Sequence, residues 1–392
     1  MTMLEGIRVV SLNHFLLGPL SAQMLADLGA DVISVESPAG SYQRKWAGDD
    51  VWVDGESSLY LCANRGKRSI AIDLKSEDGL KIVRELIRRA DVVSENFRPG
   101  VIEKLGLGYD ELKKENPGLI FASASGYGRD GPMAAMPGQD LLAQAISGLV
   151  SVTGADGGDM PVGSTVVDHH GAALLTMGIL AALVSRLRTG QGRRVDVDLL
   201  STAIDLQTEP ITAFLNAEAQ PNTAAPGRVA TWYHDAPYGI YPTADGAIAI
   251  SIAGLKDLAD AMDAPELAEI DAETAKRDPR IVSDMVAAAA ARKPTASWQE
   301  VFEAAGIWHA PVNRYADVVA DPQVAHNGNI LNAETASGSP VKLVGHPVKY
   351  DDTRPASHLG PQPLGAQTKE ILRELGYEQP EIDRLYAENC VR

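Results

Sequence analysis

The stretch Gly6–Glu36 reads G-I-R-V-V-S-L-N-H-F-L-L-G-P-L-S-A-Q-M-L-A-D-L-G-A-D-V-I-S-V-E. Gly6–Leu12 is a short apolar run of the kind that forms a buried strand. Gly18–Gly29 has helical spacing, with Pro19 where a first turn accepts it and Gly29 where a helix stops. Asp31–Glu36 is a second strand. A strand, a helix and a strand within about 30 residues form a βαβ unit, so the two strands are expected to lie parallel in one sheet. The loop between strand and helix is N-H-F-L-L-G-P and not G-x-G-x-x-G. A dinucleotide fingerprint is therefore absent, which argues against NAD.

The alternation continues along the chain. Ser69–Leu74 reads as a strand, Ser76–Arg89 as an amphipathic helix, and Asp91–Glu95 and Leu119–Ser123 as strands. Gln139–Val150 reads as a helix and Arg194–Leu200 as a strand. Such a pattern gives an α/β fold with a mostly parallel sheet covered by helices. Ligands of these sheets bind outside the carboxyl ends of the strands. That directs attention to the loops His14–Gly18, Asn96–Gly100 and Ser125–Pro132.

After about Asn216 the pattern changes. Thr223–Ala236 has the composition of a linker. Pro237–Ile252 alternates around the turn Thr243–Gly246 and reads as a hairpin. Helices follow around Leu255–Met262, Pro279–Arg292 and Trp298–Ala305. Strands are expected at Pro311–Tyr315 and Val341–Lys349, and short helices at Lys369–Leu375 and Pro380–Glu388. This divides the chain into a large domain over residues 1–222, a small α+β domain over 223–320, and a segment 321–392 that returns to the large domain.

Composition sets outer limits. The chain has 392 residues, 45% hydrophobic and 22% charged, enough for two domains of ordinary globular usage. A formal net charge of −17 argues against a nucleic-acid partner. Cys62 and Cys390 offer neither a disulfide framework nor a metal spacing, which suits a reducing cytoplasm. No signal-peptide pattern opens the chain, and no uncharged apolar run has the length of a membrane span.

The stretch Pro161–Gly190 carries the chemistry. An extended run meets Asp168, two histidines follow, and Gly171–Val184 has no charge on any face. A helix apolar all round is expected in the interior. A carboxylate at its entrance is favoured by free backbone N–H groups and the helix dipole. Asp168 can serve there as a cap or as a nucleophile. Asp168, His169 and His170 are a poor metal set, because adjacent residues at a helix start point in different directions.

Several motifs together resemble the family III CoA-transferases, the CaiB/BaiF family. They are Val9–Glu36, Asn64–Lys75 (N-R-G-K-R-S-I-A-I-D-L-K), Ser94–Gly100 (S-E-N-F-R-P-G), Ser125–Pro132 (S-G-Y-G-R-D-G-P), Asp168–Gly192 and Pro363–Gly376. The likeness covers nearly the whole chain in order. It implies a cytoplasmic enzyme that moves CoA from an acyl-CoA to a carboxylic acid, with no permanently bound cofactor and no metal. It also implies a Rossmann-like large domain whose parallel sheet is built from both chain ends, and a homodimer of interlocked subunits. The catalytic residue maps onto Asp168, which would pass through a mixed anhydride and an aspartyl-CoA thioester. The resemblance places CoA beside Ile72, Asp73, Leu74 and Lys75, beside Asn96, Phe97 and Arg98, and near Lys104 and Leu105.

The residues themselves add to this. Arg65, Lys67, Arg68, Lys75, Arg98 and Lys104 are the cations available for CoA phosphates, with Lys75 and Arg98 favoured because each follows a strand end. His14 lies in the first strand-end loop, placed to contact the thioester arm. Ser37–Gly40 stands where relatives often carry a cation, and Arg44 or Lys45 is expected to substitute. Leu16 stands where the oxalate-specific branch has glutamine, and no glycine run lies between Ala224 and Gly246. With Leu17, Trp232, Tyr233 and Tyr238 also expected around the pocket, an acid larger than oxalate is expected. The tail reads G-A-Q-T (Gly365–Thr368) where the family usually has G-E-H-T. The α-methylacyl-CoA racemases share the resemblance but use a G-H-D motif. This chain has G-Q-D (Gly138–Asp140), and Gln139 cannot act as a general base. A non-catalytic CoA-binding module is the remaining alternative, and Asp168 argues against it.

Overall fold

The structure is a computed structural model that describes residues 2–357 and 359–392. Six strands form one sheet: β1 (Arg8–Leu12), β2 (Asp31–Glu36), β3 (Lys67–Ala71), β4 (Val92–Glu95), β5 (Ile120–Ser125) and β6 (Arg194–Asp198). Their order is β3-β2-β1-β4-β5-β6, and every pair is parallel. This is the doubly wound order of Rossmann folds. Val9, Val10, Ile33, Val92 and Phe121 are almost wholly buried, as strands covered on both faces require.

The covering helices follow from local signals. Helix α1 (Leu17–Asp27) ends two residues before Gly29, which adopts φ +101°. Helix α2 (Glu77–Arg88) is capped by Ser76, whose hydroxyl accepts from the Gly79 N–H. Helix α3 (Asp140–Ile146) is shorter than the expected Gln139–Val150. Gly148, in the left-handed region, separates it from a second short helix, Leu149–Thr153.

Helix α4 runs Val166–Thr189, five residues earlier and five later than its charge-free centre. Its length and composition match those of a membrane-crossing helix. Along one face, Val167, Ala172, Leu175 and Ile179 are buried, and Ser21 of α1 bonds Thr176 at 2.9 Å. Met177, Val184 and Leu187 are 61%, 51% and 84% exposed. The expectation of a fully interior helix is thus corrected: the chain covers one apolar face of α4 and leaves the other open.

The tail adds no strand to the sheet, only an antiparallel bridge of Val391 to Ile72 just past the end of β3, so the expectation of a sheet built from both chain ends is also corrected. All six strands come from residues 8–198. The helices Thr368–Leu375 and Gln379–Ala387 place Ile371, Leu372, Ile382 and Leu385 in one core with Ile70, Ile72, Val83 and Ile87. The G-A-Q-T motif has a structural role. Gln367 accepts from the Ser69 N–H (2.8 Å), and Thr368 accepts from the Ala71 N–H and donates to the Arg392 carbonyl.

The chain divides into two compact units. The first comprises the chain up to Asp140, Thr165–Thr202 and Pro322–Arg392; the second comprises Leu141–Ser164 and Ala203–Asp321. The lines fall at 140, 164, 202 and 321; the last lies one residue from the expected 320, and the others replace the expected line at 222. Leu141–Ser164 and Ala203–Asn222 belong with the second unit, where the Gln207 amide donates to Ser147. In that unit a three-stranded antiparallel sheet (Gly239–Pro242, Ala247–Ile250, His309–Pro311) packs with the helices Leu255–Met262, Pro279–Ala290 and Thr295–Ala305 around Tyr241, Trp298 and Phe302. The strand expected over Pro311–Tyr315 ends at Pro311, and Tyr315 opens a helix whose Asp317 carboxylate accepts from the Arg314 N–H (2.8 Å). Thr223–Ala236 is not a solvated linker, since Ala225, Val229 and Ala236 are buried. In the first unit, Pro340–Val344 pairs with Ile330–Glu334, a partner strand with no clear sequence signal.

Because the tail fills the α2 side of the core, Leu372→Ala is expected to destabilise the first unit by about 2–5 kcal/mol. A urea titration followed by tryptophan fluorescence and circular dichroism checks this.

Candidate active site

Strand β1 is flanked by β2 on one side and β4 on the other, so connections leave it in opposite directions and a crevice opens at its carboxyl end. Two loops form that crevice. Asn96 ties them together: its Oδ1 accepts from the His14 N–H (2.9 Å) and its Nδ2 donates to the His14 carbonyl (2.7 Å). Asn13, buried beneath, donates to Ser11 (2.9 Å) and Ser94 (3.0 Å). The next residue, Phe15, sits at φ +62°, a conformation that costs a bulky side chain energy and that clusters at functional sites. The Gln43 amide donates to the Phe15 carbonyl and holds it there. The His14 ring lies 5.1 Å from Phe15 and 5.9 Å from Phe97, and burial lowers its pKa below the usual histidine value.

A second construction brings Asp168 to the same end of the first unit. Leaving β5, the backbone of Gly126 passes against Gly138. A Cβ on Gly126 would lie 2.7 Å from the Gly138 Cα, and one on Gly138 would lie 2.4 Å from the Gly126 Cα. Neither position accepts a side chain. Two residues later Asp140 opens α3, and one oxygen of its buried carboxylate accepts from the N–H groups of Val167 (2.8 Å) and Asp168 (2.9 Å). Thr165, at the helix N-cap, makes no capping bond. One turn beyond, Leu17 fills the space a side chain on Gly171 would need, with its Cδ1 2.5 Å from the ideal Cβ. That packing sets the His14–Leu17 loop against the first turns of α4.

Asp168 is the third residue of α4 and not its cap. The free N–H groups expected to favour its charge go instead to Asp140. Among the described residues the Asp168 carboxylate has no hydrogen-bond donor and no cation partner. Burial first, and then the Asp140 charge, raise its carboxyl to about 7. Near neutral pH it is available as a carboxylate of unusually high proton affinity, which is a good nucleophile. His169, beside it, bonds through Nδ1 to the Thr165 carbonyl (2.8 Å) and faces solvent.

The expected cations separate into two groups. Arg65 is buried against Asp27 (2.6 Å). Lys67 is fully buried on the Pro19 and Ala63 carbonyls and Asn64, each at 2.8 Å. Arg68 pairs with Asp31, Glu370 and Glu374. Arg44, expected to replace a missing phosphate ligand, lies over the Tyr60 ring at 3.6 Å and binds Glu36 and Glu56, each at 2.8 Å. These four hold the fold together and are not free for a ligand. Lys75, Arg98 and Lys104 are exposed, with no ion pair among the described residues.

The other expected ligand residues vary in availability. Ile72 is buried in the core and bridges to Val391. Asp73 accepts from the Lys75 N–H (3.0 Å), while Leu74, Phe97 and Leu105 are partly buried against the core. Residues not singled out from the sequence line a small neighbouring surface depression: Glu95, Ser123, Arg129 and Arg194, with Phe97 and Arg98. Burial raises Glu95 to about 7, and it accepts from Ser123 and from the Phe97 N–H (2.9 Å). Arg129 lies within the quoted S-G-Y-G-R-D-G-P motif, which was the available signal. Asp140 lay in the G-Q-D motif, whose reading turned on Gln139 alone.

The profile of CoA-transferase family III matches residues 4–368. The chain belongs to CoA-transferase family III. The chain is 33% identical over 401 residues to a succinyl-CoA:glutarate CoA-transferase of Mus musculus, covering 99% of this chain and 90% of the relative. It is 34% identical to an acetyl-CoA:oxalate CoA-transferase of Acetobacter aceti, covering 94% and 95%. The solved structure of a CaiB/BaiF family protein from Brucella suis superposes with a TM-score of 0.83 at 31% identity, covering 95% and 99%. The protein is an acyl-CoA:carboxylate CoA-transferase, acting on CoA thioesters and carboxylic acids.

The raised carboxyl has a stability consequence with a definite sign. Folding lifts Asp168 from its ordinary value of 3.8 to about 7, so the charged form is disfavoured in the folded state. The folded protein therefore loses stability as pH rises from about 4 to about 7. Asp168→Asn is expected to melt higher than the parent at pH 8 and equally at about pH 4. Scanning calorimetry at the two pH values checks this.

Proposed function

We propose that Asp168 is the covalent carrier of the transfer. A carboxylate oxygen of Asp168 attacks the thioester carbonyl carbon of the donor and expels CoA thiolate, leaving a mixed anhydride. The thiolate attacks the Asp168 carbonyl of that anhydride, releasing the first acid as a carboxylate and forming an aspartyl-CoA thioester. The acceptor carboxylate attacks this thioester, freeing the thiolate and forming a second anhydride. The thiolate then attacks the acceptor's acyl carbon, which yields the new acyl-CoA and restores the Asp168 carboxylate. Bonds and charges balance without an external energy source, because one thioester and one carboxylate are exchanged for another pair. The observation that carries this reading is the unpaired, high-affinity carboxylate of Asp168 at the carboxyl end of a doubly wound sheet.

In the same reading CoA lies along the crevice beside His14, Asn96, Phe97 and the Ile72–Lys75 turn. Ile72 contributes its backbone, and Lys75, Arg98 and Lys104 supply charge for the phosphates. The acceptor is an acid larger than oxalate, in keeping with Leu16 and the aromatic side chains of Phe15 and Phe97 beside His14. A second copy of the chain covers the apolar face of α4 that carries Met177, Val184 and Leu187, giving the interlocked homodimer.

Digestion of enzyme incubated with a panel of acyl-CoAs is expected to yield CoA on the peptide holding Asp168, and borohydride is expected to inactivate only when acyl-CoA is present. Asp168→Ala is expected to bind CoA and to lose transfer by at least about 10³-fold. Transfer at the parent rate in that variant would exclude the mechanism. Lys75→Ala and Arg98→Ala are each expected to raise KM for acyl-CoA with kcat little changed, whereas Arg44→Ala is expected to lower thermal stability. Steady-state kinetics and melting curves separate the two behaviours.

A further inference from the structure

We propose that Asp140 is a positioning residue of the transfer site: it anchors the first turn of α4 and sets the charge state in which Asp168 reacts. It does so by taking the N–H groups of the second and third helix residues, which the N-cap side chain of Thr165 leaves unmet, and by placing a negative charge beside the nucleophile. The inference rests on the reading of Asp168 as nucleophile.

The geometry supports both halves. The first four N–H groups of a helix lack intrahelical partners, and an acid within the first turn is ordinarily stabilised by them. Here the Asp168 N–H and its neighbour at Val167 both end on Asp140 Oδ2 (2.9 and 2.8 Å). Asp140 cannot shift easily, because the Gly126–Gly138 crossing fixes the backbone two residues before it. The bonds also tie the start of α3 to the start of α4, which fixes where the Asp168 side chain emerges.

Among the described residues no other charge near α4 duplicates this effect. The His14–Leu17 loop, set against the first turns of α4, brings only His14, whose pKa burial lowers. Helix α1 packs on α4 and carries only Asp27, which is bound to Arg65. Strand β5 has no charged residue. Strand β6 brings Arg194 and Asp196, paired at 2.8 Å, and Asp198, which accepts from the Ser201 N–H (2.7 Å). Helix α4 itself adds His169, His170, Arg186 and Arg188; the last two lie five turns away at its far end. Among the described residues, burial and the Asp140 charge are what raise the Asp168 carboxyl. Two carboxylates side by side disfavour joint ionisation, so the charge at Asp140 makes Asp168 hold its proton more tightly and attack more strongly once ionised.

The test uses the full chain with 13C-labelled aspartate, the Asp168 carboxyl signal being assigned by its loss in Asp168→Asn. The parent is expected to titrate near 7. In Asp140→Asn and Asp140→Ser, which keep an acceptor for the helix N–H groups and remove the charge, the midpoint is expected to fall by about one unit or more. Transfer with an acyl-CoA that labels Asp168 in the panel above is expected to shift its acid limb by the same amount, with a plateau kcat about tenfold lower and KM within about twofold. A purely structural role would lower activity equally at all pH values and leave the midpoint in place. An unchanged midpoint in the folded variants, or a parent midpoint in the ordinary carboxylate range near 4, would overturn the proposal. Failure of the nucleophile reading shows separately, as absence of the CoA adduct on Asp168 with the titration shift intact.

Discussion

Two N–H groups at the start of α4 end on the Asp140 carboxylate, and the arrangement of the catalytic end follows from that bond pair. A helix start needs partners for its free donors, and the Thr165 side chain supplies none. The partner comes from 27 residues earlier, delivered by the tight passage of Gly126 against Gly138. The same bond pair leaves Asp168 in the first turn of a helix without the stabilisation that position normally gives. Half-buried and beside a second acid, it is a carboxylate with high proton affinity and no partner to quench it.

The charges of the first unit separate by burial into scaffold and candidate ligand groups. Arg44, Arg65, Lys67 and Arg68 occupy the β2–β3 side and are all satisfied by acids, carbonyls or Asn64. A buried cation without such partners would be strongly destabilising, so the acids that meet them are part of the fold. Lys75, Arg98 and Lys104 lie where strands or short helices end, with their heads in solvent. In the proposed reading a ligand with several phosphates would meet these three at no cost to an existing ion pair. The net charge of −17 is therefore compatible with local capture of an anionic substrate.

Much of this was legible in one dimension. The βαβ pattern of Gly6–Glu36 and the alternation after it gave the parallel sheet, and the strand-end rule named three loops, two of which form the crevice. Asp168 stood out because an acid before an uncharged helix is unusual. The cations were not separable in sequence: Lys67 and Lys75 look alike as letters, and burial alone makes one a strut and the other a free charge. The open face of α4 was likewise hidden, since an apolar stripe reads the same whether its own chain or another covers it. The Gly138–Gln144 region was expected to line the pocket, but the role of Asp140 was not legible, because it depends on a bond to backbone groups far along the chain, and backbone donors leave no letter in the sequence.

Periodicity and turn residues therefore determined most of the elements, the parallel sheet and the candidate acid Asp168, because these depend on local backbone preference and on which faces must be apolar. The tertiary structure decided which charges are free, where the tail packs, and how strongly Asp168 holds its proton. Those properties depend on distances between segments remote in sequence, and on the water each group loses when they meet.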